Sequence, residues 1–253
     1  MFDWLVIMMN KTIEPADWRE DSFKDQAKTI GLLDIFGFEN FKFNNYEQLC
    51  INYVNEKLHK LYIAAIFEAE CVELKEEGLG HMVDSIQYPD LKVLEILRIL
   101  DYKKGGRKYA GIKFAAEPSP GLFTTADDNC TQVLNGRDIK WEDVAMTFEK
   151  SHGKNVKLYV LNKKVKSEFT INHSAQSVKY DMKEFVQRNV DVVDDWYEDW
   201  INEMCDEHIQ CIWNMVPSLD QVEQDKGKKL KTIWQKFDKQ MDDLMDELAE
   251  TML

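Results

Sequence analysis

Asp34, Gly37 and Glu39 fall within six residues, Asp34-Ile35-Phe36-Gly37-Phe38-Glu39, directly after the apolar run Ile30-Gly31-Leu32-Leu33. An aspartate at the end of a strand can hold a metal-bound water. A glycine three residues on lets its N–H approach a phosphate oxygen with no side chain in the way. The same Asp-x-x-Gly also suits an ordinary turn after a strand, so its neighbours must decide between the two. No Gly-x-x-x-x-Gly-Lys-[Ser/Thr] occurs anywhere in the 253 residues, so the sequence offers no phosphate cradle of that kind. The five cysteines, Cys50, Cys71, Cys130, Cys205 and Cys211, are odd in number, scattered and without a Cys-x-x-Cys pair. They indicate neither a zinc site nor a disulfide framework and fit a reducing compartment. His173, alone on a strand-like segment, reads as a packed structural residue.

The elements that must hold these residues can be read from pattern. Four apolar residues in a row suit a short strand buried on both faces, at 29–45 together with its loop. Asn40 to Asn45 is a polar turn. From Tyr46 to Glu77, apolar residues at 46, 49, 50, 53, 54, 58, 61, 62, 65, 66, 69 and 72 trace the i, i+3, i+4, i+7 stripe of a helix. Such a helix is about 50 Å long at 1.5 Å per residue.

Asp34-Ile35-Phe36-Gly37-Phe38-Glu39-Asn40-Phe41 followed by Asn45-Tyr46-Glu47-Gln48-Leu49-Cys50-Ile51-Asn52-Tyr53-Val54-Asn55-Glu56-Lys57-Leu58 closely resembles the myosin motor, at its switch II loop and relay helix. The resemblance implies an α+β, mostly α-helical fold, a fragment of the P-loop NTPase-type motor with long helices and a few strands of its central sheet. It implies ATP and Mg2+ as cofactors of the complete motor. Asp34 would hold the magnesium shell through water, and Asp34, Ile35, Phe36 and Gly37 would lie beside the nucleotide. Gly37 would donate its N–H to the γ-phosphate, and Glu39 would pair with an arginine outside this chain. Phe38 and Asn55 would couple the loop to the helix.

The resemblance extends along most of the chain and is strongest at 29–62 and 169–191. Phe2 to Ile13 has helical spacing and is similar to the helix upstream of switch II, with a loop at 14–28. Leu91 to Leu100 is a helix by spacing. Lys103-Lys104-Gly105-Gly106-Arg107-Lys108 is a basic loop that looks like an insertion, and it also reads as an ordinary solvated loop. Residues 118–155 resemble the family's helix-loop-helix, part of its actin surface, through Pro120-Gly121-Leu122-Phe123 and Phe148-Glu149-Lys150. Thr124-Thr125 stand where the family prefers an apolar pair.

Phe169 to Tyr180 alternates as a strand should, with Ser174 and Gln176 in place of the family's Tyr and Gly. A second long helix is predicted from Asp181 to Val216, within a strand-and-helix segment at 169–216. Residues 217–231 resemble loop 2, with Lys228, Lys229 and Lys231. A final helix at 232–253 carries apolar residues at 230, 234, 237, 241, 244, 248 and 252, nearly a coiled-coil seam. By this resemblance Gly121, Leu122, Phe123, Lys150, Lys228, Lys229 and Lys231 would contact an actin filament.

Hydrophobic content of 44% and charge of 31% are those of a globular protein, and the net charge of −14 argues against nucleic acid or an anionic membrane as partner. No apolar run approaches the roughly 20 residues of a membrane span, and Asp3 and Trp4 after Met1 argue against a signal peptide. The expected setting is the cytoplasm and cytoskeleton, with actin and the remainder of the motor as partners. The reading is the segment from switch II through the lower 50-kDa region to just past loop 2 of an ATP-driven motor, inactive as an ATPase by itself. The alternatives are a non-enzymatic actin-binding or regulatory fragment and a helical module that dimerises through 230–253.

Overall fold

The computed structural model describes residues 2–14, 30–83, 91–103, 119–154, 157–191, 200–203, 206–207, 209–210 and 232–251. The chain forms two compact units, Met1–Ile35 with Val192–Leu230, and Phe36–Asp191 with Lys231–Leu253. In the first unit, α1 (Phe2–Ile13) is the helix its spacing predicts, and residues 200–203 are helical. All of the predicted 14–28 loop but Glu14 lies outside the described residues.

The second unit carries a hydrophobic core. The long helix is present as α2 (Tyr46–Ile63), a π-helical turn at Ala64–Glu68, and α3 (Ala69–Glu76). Asn45 begins it with a capping box, its N–H donating to Gln48 Oε1 at 2.9 Å. Only the first half of the predicted stripe is buried. Tyr46, Leu49, Cys50 and Tyr53 are in the core, whereas Tyr62, Ile66 and Val72 beyond them are exposed. Gly78, at φ +80°, closes α3 with Leu79 N–H donating to Leu74 O, a left-handed cap that favours glycine.

Then come α4 (Gly80–Val83), α5 (Leu91–Asp101), α6 (Leu122–Leu134) and α7 (Trp141–His152). The strands are β1 (Tyr159–Leu161), β2 (Glu168–Asn172) and β3 (Ser177–Asp181), in antiparallel order β1-β2-β3. Phe169 faces Tyr180 and Ile171 faces Val178 across β2 and β3, and all four are buried on one face. The unit ends with α8 (Phe185–Asn189) and α9 (Ile233–Thr251).

Aromatic side chains fill the junction of α2, α6, α8 and α9. The Phe123 and Trp234 rings stack at 3.9 Å, with Tyr46 and Tyr53 meeting Phe123 edge-on. Asn189 Oδ1 accepts from the Tyr46 hydroxyl and from Trp234 N–H, tying the start of α9 to α2. Thr232 caps α9 by accepting from Gln235 N–H, and its own hydroxyl donates to buried Asp127 of α6. Along the predicted seam, Trp234 and Met241 are buried and Phe237, Leu244 and Met245 pack on the same core. Trp234, Phe237, Met241 and Leu244 of the predicted seam thus pack on the chain's own core, and Leu230 and Met252 lie outside the described residues.

Three sequence expectations are corrected. Ile30 to Leu33 is not a buried strand: it carries no regular structure, and Ile30 and Leu32 are 95% and 97% exposed. A strand covered on both faces needs neighbours in a ladder, and no described strand pairs with this run. Phe169 to Tyr180 is two strands joined by a turn at 173–176, not one. The long helix from Asp181 is absent at its start. Asp181 ends β3, α8 stops at Asn189, and Val190 is extended and bridges Thr232. Of the four residues whose spacing predicts that helix, Trp196, Met204 and Ile212 lie outside the described residues, and Trp200 begins the helical stretch at 200–203.

Gly121 begins α6 where the chain touches the end of α5. A Cβ there would sit 2.6 Å from Leu100 C, Leu100 O and Asp101 N, all rigid backbone. Gly121→Ala should lower the unfolding free energy by ~1–3 kcal/mol, the usual cost of overpacking. Chemical denaturation measures this, and an unchanged midpoint contradicts the packing described.

Candidate functional site

The loop at 36–45 is held from two sides. Asn44 bridges it to β3: its side chain accepts from Phe41 N–H at 2.8 Å and donates to Lys179 O at 2.9 Å. Asn40 reaches the hairpin turn, donating to Gln176 Oε1 at 3.3 Å. On the other side stands α2. Asn52 Oδ1 accepts from Glu39 N–H at 2.8 Å, and Asn52 Nδ2 donates to Glu39 O at 2.8 Å. One side-chain amide thus pairs with both backbone groups of one residue, as a neighbouring strand would. One turn on, Asn55 Nδ2 donates to Phe36 O at 3.1 Å and to Ile51 O at 2.9 Å.

Beneath this clamp lies a polar network. The second Asn52 N–H donates to the Tyr180 hydroxyl at 2.7 Å, and Tyr180 is 2.8 Å from His173 Nε2. His173 Nδ1 is 3.1 Å from Glu56 Oε1, which also accepts from Ser174 N–H at 2.8 Å. Glu56 Oε2 accepts from the Ser174 hydroxyl at 2.7 Å. Asn52, Glu56, His173 and Tyr180 are all buried. The Phe38 ring sits edge-on to His173 at 5.0 Å.

Burial alone would raise the Glu56 carboxyl. The hydrogen bonds from His173 and from the amide and hydroxyl of Ser174 outweigh it and hold Glu56 below the usual carboxylate range. Burial pushes His173 below the ordinary histidine value despite the opposing pull of Glu56. Both directions favour a hydrogen bond between imidazole and carboxylate, and the contact is an ion pair only while His173 is protonated. Burial likewise raises the Tyr180 phenol, which stays protonated.

The predicted nucleotide-side residues differ in their surroundings. Glu39 is partly buried, and its Oε2 is shielded from solvent without a hydrogen-bond partner among the described residues. Gly37 is open on its Cα side: no described atom lies within 4 Å of where its Cβ would be. Asp34, Ile35 and Phe36 are exposed. Among the described residues no group of three or more His, Cys, Asp or Glu side chains is placed to hold a metal. A magnesium ion that keeps several waters and binds phosphate oxygens needs only one or two carboxylates, so one exposed aspartate fits that role and not a protein-built cage.

Of the predicted filament contacts, Lys150 is exposed, whereas Leu122 and Phe123 are fully buried and Gly121 is wedged against α5. Thr124 and Thr125 are also buried, with Thr124 Oγ1 donating to Tyr102 O and Thr125 Oγ1 to Gly121 O. Lys228, Lys229 and Lys231, and Lys104 to Lys108, lie outside the described residues. Roles for Asn52, Glu56 and Tyr180 did not emerge from the sequence. Their signal was there: Asn52 and Glu56 share a helix face with Leu49 and Tyr53, and a polar residue on an apolar face must find a buried partner.

A family model described as the myosin head (motor domain) matches residues 1–253. Myosin-16 of Arabidopsis thaliana is 28% identical over 251 residues, 99% of this chain and 17% of that protein. Myosin-52 of Schizosaccharomyces pombe is 32% identical over 196 residues, 77% of this chain and 11% of that protein. The Myosin-K heavy chain of Dictyostelium discoideum is 32% identical over 196 residues, 76% of this chain and 20% of that protein. The chain spans 20% or less of the length of these curated relatives. With a match over its whole length, a mostly helical fold and a small antiparallel sheet, the chain belongs to the myosin head (motor domain) family.

Proposed function

We propose that this chain supplies the nucleotide-sensing loop, the relay helix and part of the actin-facing surface of an ATP-driven motor. The observation that carries the reading is Glu39. Its backbone is clamped to α2 through Asn52, while its carboxylate presents a buried oxygen that no described group satisfies. A buried, unpaired carboxylate oxygen is costly unless it finds a partner in another state. An arginine arriving from another segment of the motor meets that need and closes the site over the γ-phosphate.

In this reading Gly37 donates its N–H to that phosphate, and Asp34 holds a magnesium-bound water. Ile35 and Phe36 line the same loop. When bound, ATP and magnesium supply the reacting phosphoryl group and the charge that neutralises it. The chain's part is to position and to sense. A shift of Gly37 or Phe38 reaches α2 through Asn52 and Asn55 and travels along a rigid helix.

On the filament side, the reading rests on the exposed Lys150 of α7 and on the lysines 228, 229 and 231. The chain carries −14 overall, so a cluster of three lysines is locally exceptional. The family likeness implies an acidic actin surface. Basic side chains then act chiefly on the rate of association, within a screening length of about 10 Å at ordinary salt. Leu122 and Phe123 take the other role, holding α6 in the core beneath that surface.

Two measurements test these halves, each in a motor containing this segment. Glu39→Ala should slow hydrolysis about a hundredfold with nucleotide affinity nearly unchanged, because a closing carboxylate acts on the transition state. Unchanged turnover contradicts the role given to Glu39. Replacing Lys228, Lys229 and Lys231 by alanine should slow actin association and flatten its salt dependence. If both match the parent, the basic stretch at 103–108 takes over as the candidate contact.

A further inference from the structure

The hairpin between β2 and β3 does more than close a sheet. Its turn brings His173 and Ser174 onto Glu56 of α2, and its second strand brings Tyr180 onto Asn52. Each link in the resulting chain has one orientation that satisfies its neighbours. Reversing the Asn52 amide would set its NH2 against Glu39 N–H and its carbonyl against Glu39 C=O, so its Oδ1 must face the N–H. The remaining Asn52 N–H then points at the Tyr180 oxygen. Glu56 carries two oxygens already taken up by donors from Ser174, and a carboxylate only accepts. His173 Nδ1 must therefore donate to Glu56, and a bare Nε2 is the arrangement in which the Tyr180 O–H also finds an acceptor. The direction runs from Asn52 through Tyr180 and His173 to Glu56 without a mismatched pair.

We infer that Tyr180 and His173 are positioning residues for Glu39, acting through the Asn52 amide. The inference rests on the role proposed for Glu39 and adds the part of the fold that sets its place. Without the Tyr180 hydroxyl, one Asn52 N–H is stranded in a fully buried position. An unsatisfied buried donor costs more than the lost bond is worth, so the amide turns to seek another partner and releases the Glu39 backbone. Ser174 fixes the far end: its amide and hydroxyl hold both oxygens of Glu56, so the carboxylate cannot rotate away from His173.

The test uses residue-resolved hydrogen exchange on the 253-residue chain carrying Tyr180→Phe. The Glu39 amide should exchange about tenfold faster, the worth of one buried hydrogen bond. The amides of the β2–β3 ladder should stay within about twofold of the parent, the scatter of independent sites. A Glu39 amide that is unaffected, or a ladder that opens equally, overturns the proposal. Imidazole nitrogen shifts of His173 in the unaltered chain provide a measurement that needs no variant. They should show a protonated Nδ1 and a bare Nε2, and a protonated Nε2 overturns the relay.

In a motor containing this segment, Tyr180→Phe should slow the hydrolysis step about tenfold with KM for nucleotide unchanged, again the worth of one bond. Glu39→Ala run alongside separates the two ideas. If only Glu39→Ala is impaired, the relay is wrong. If neither variant is impaired, the role of Glu39 is wrong and the proposal falls with it.

Discussion

The structure depends on one buried amide. Asn52 makes three hydrogen bonds, two to the backbone of Glu39 and one to Tyr180, at a position with no access to water. In that setting a satisfied amide holds its partners in register, and an unsatisfied one is expensive. The loop after Gly37 has no helix or strand of its own to fix it. Its place comes from Asn52 on one side and from Asn44 and Asn40 on the other, so its conformation is set by α2 and β3 together.

The apolar core makes that arrangement stiff. Asn52 sits on α2 between Leu49 and Tyr53, and both are fully buried. Tyr53 donates to Asp101 at the end of α5, and its ring meets Phe123 and Trp234. The same helix face therefore contacts α5, α6 and α9, while its polar members grip the loop and the hairpin. A rotation of α2 that released Glu39 would also disturb this aromatic packing, and packed cores resist continuous deformation. Beyond Ile63 the helix passes through a π-helical turn, after which Val72 is exposed and Cys71 is buried. A π-turn offsets the side-chain register of the helix beyond it, so the two halves of the rod present different faces.

Much of this was legible in the sequence, for identifiable reasons. The spacing of Tyr46, Leu49, Cys50 and Tyr53 defines α2, and the seam at Trp234, Phe237, Met241 and Leu244 defines α9. Asn55 and Glu39 stood out through likeness to a known motif. The strand expected at Ile30 to Leu33 did not form, because an apolar run says nothing about whether neighbouring strands exist to pair with it. The turn at 173–176 has neither Gly nor Pro, and its direction is set by Glu56, more than a hundred residues away in sequence. The burial of Leu122 and Phe123 was hidden for a similar reason. An apolar pair at a helix start reads alike whether it faces a partner or its own core, and here Tyr46, Tyr53 and Trp234, all distant in sequence, decide it for Phe123.

Asn52 pairs with both backbone groups of Glu39 and so ties the loop to α2. The most direct measurement is the phosphate burst of a motor containing this segment with Asn52→Ala, followed together with a fluorescent reporter on the distal end of the helix. Coupling through Asn52 predicts that the burst and the reporter signal are lost together while nucleotide still binds. A full burst with a normal reporter signal would contradict it.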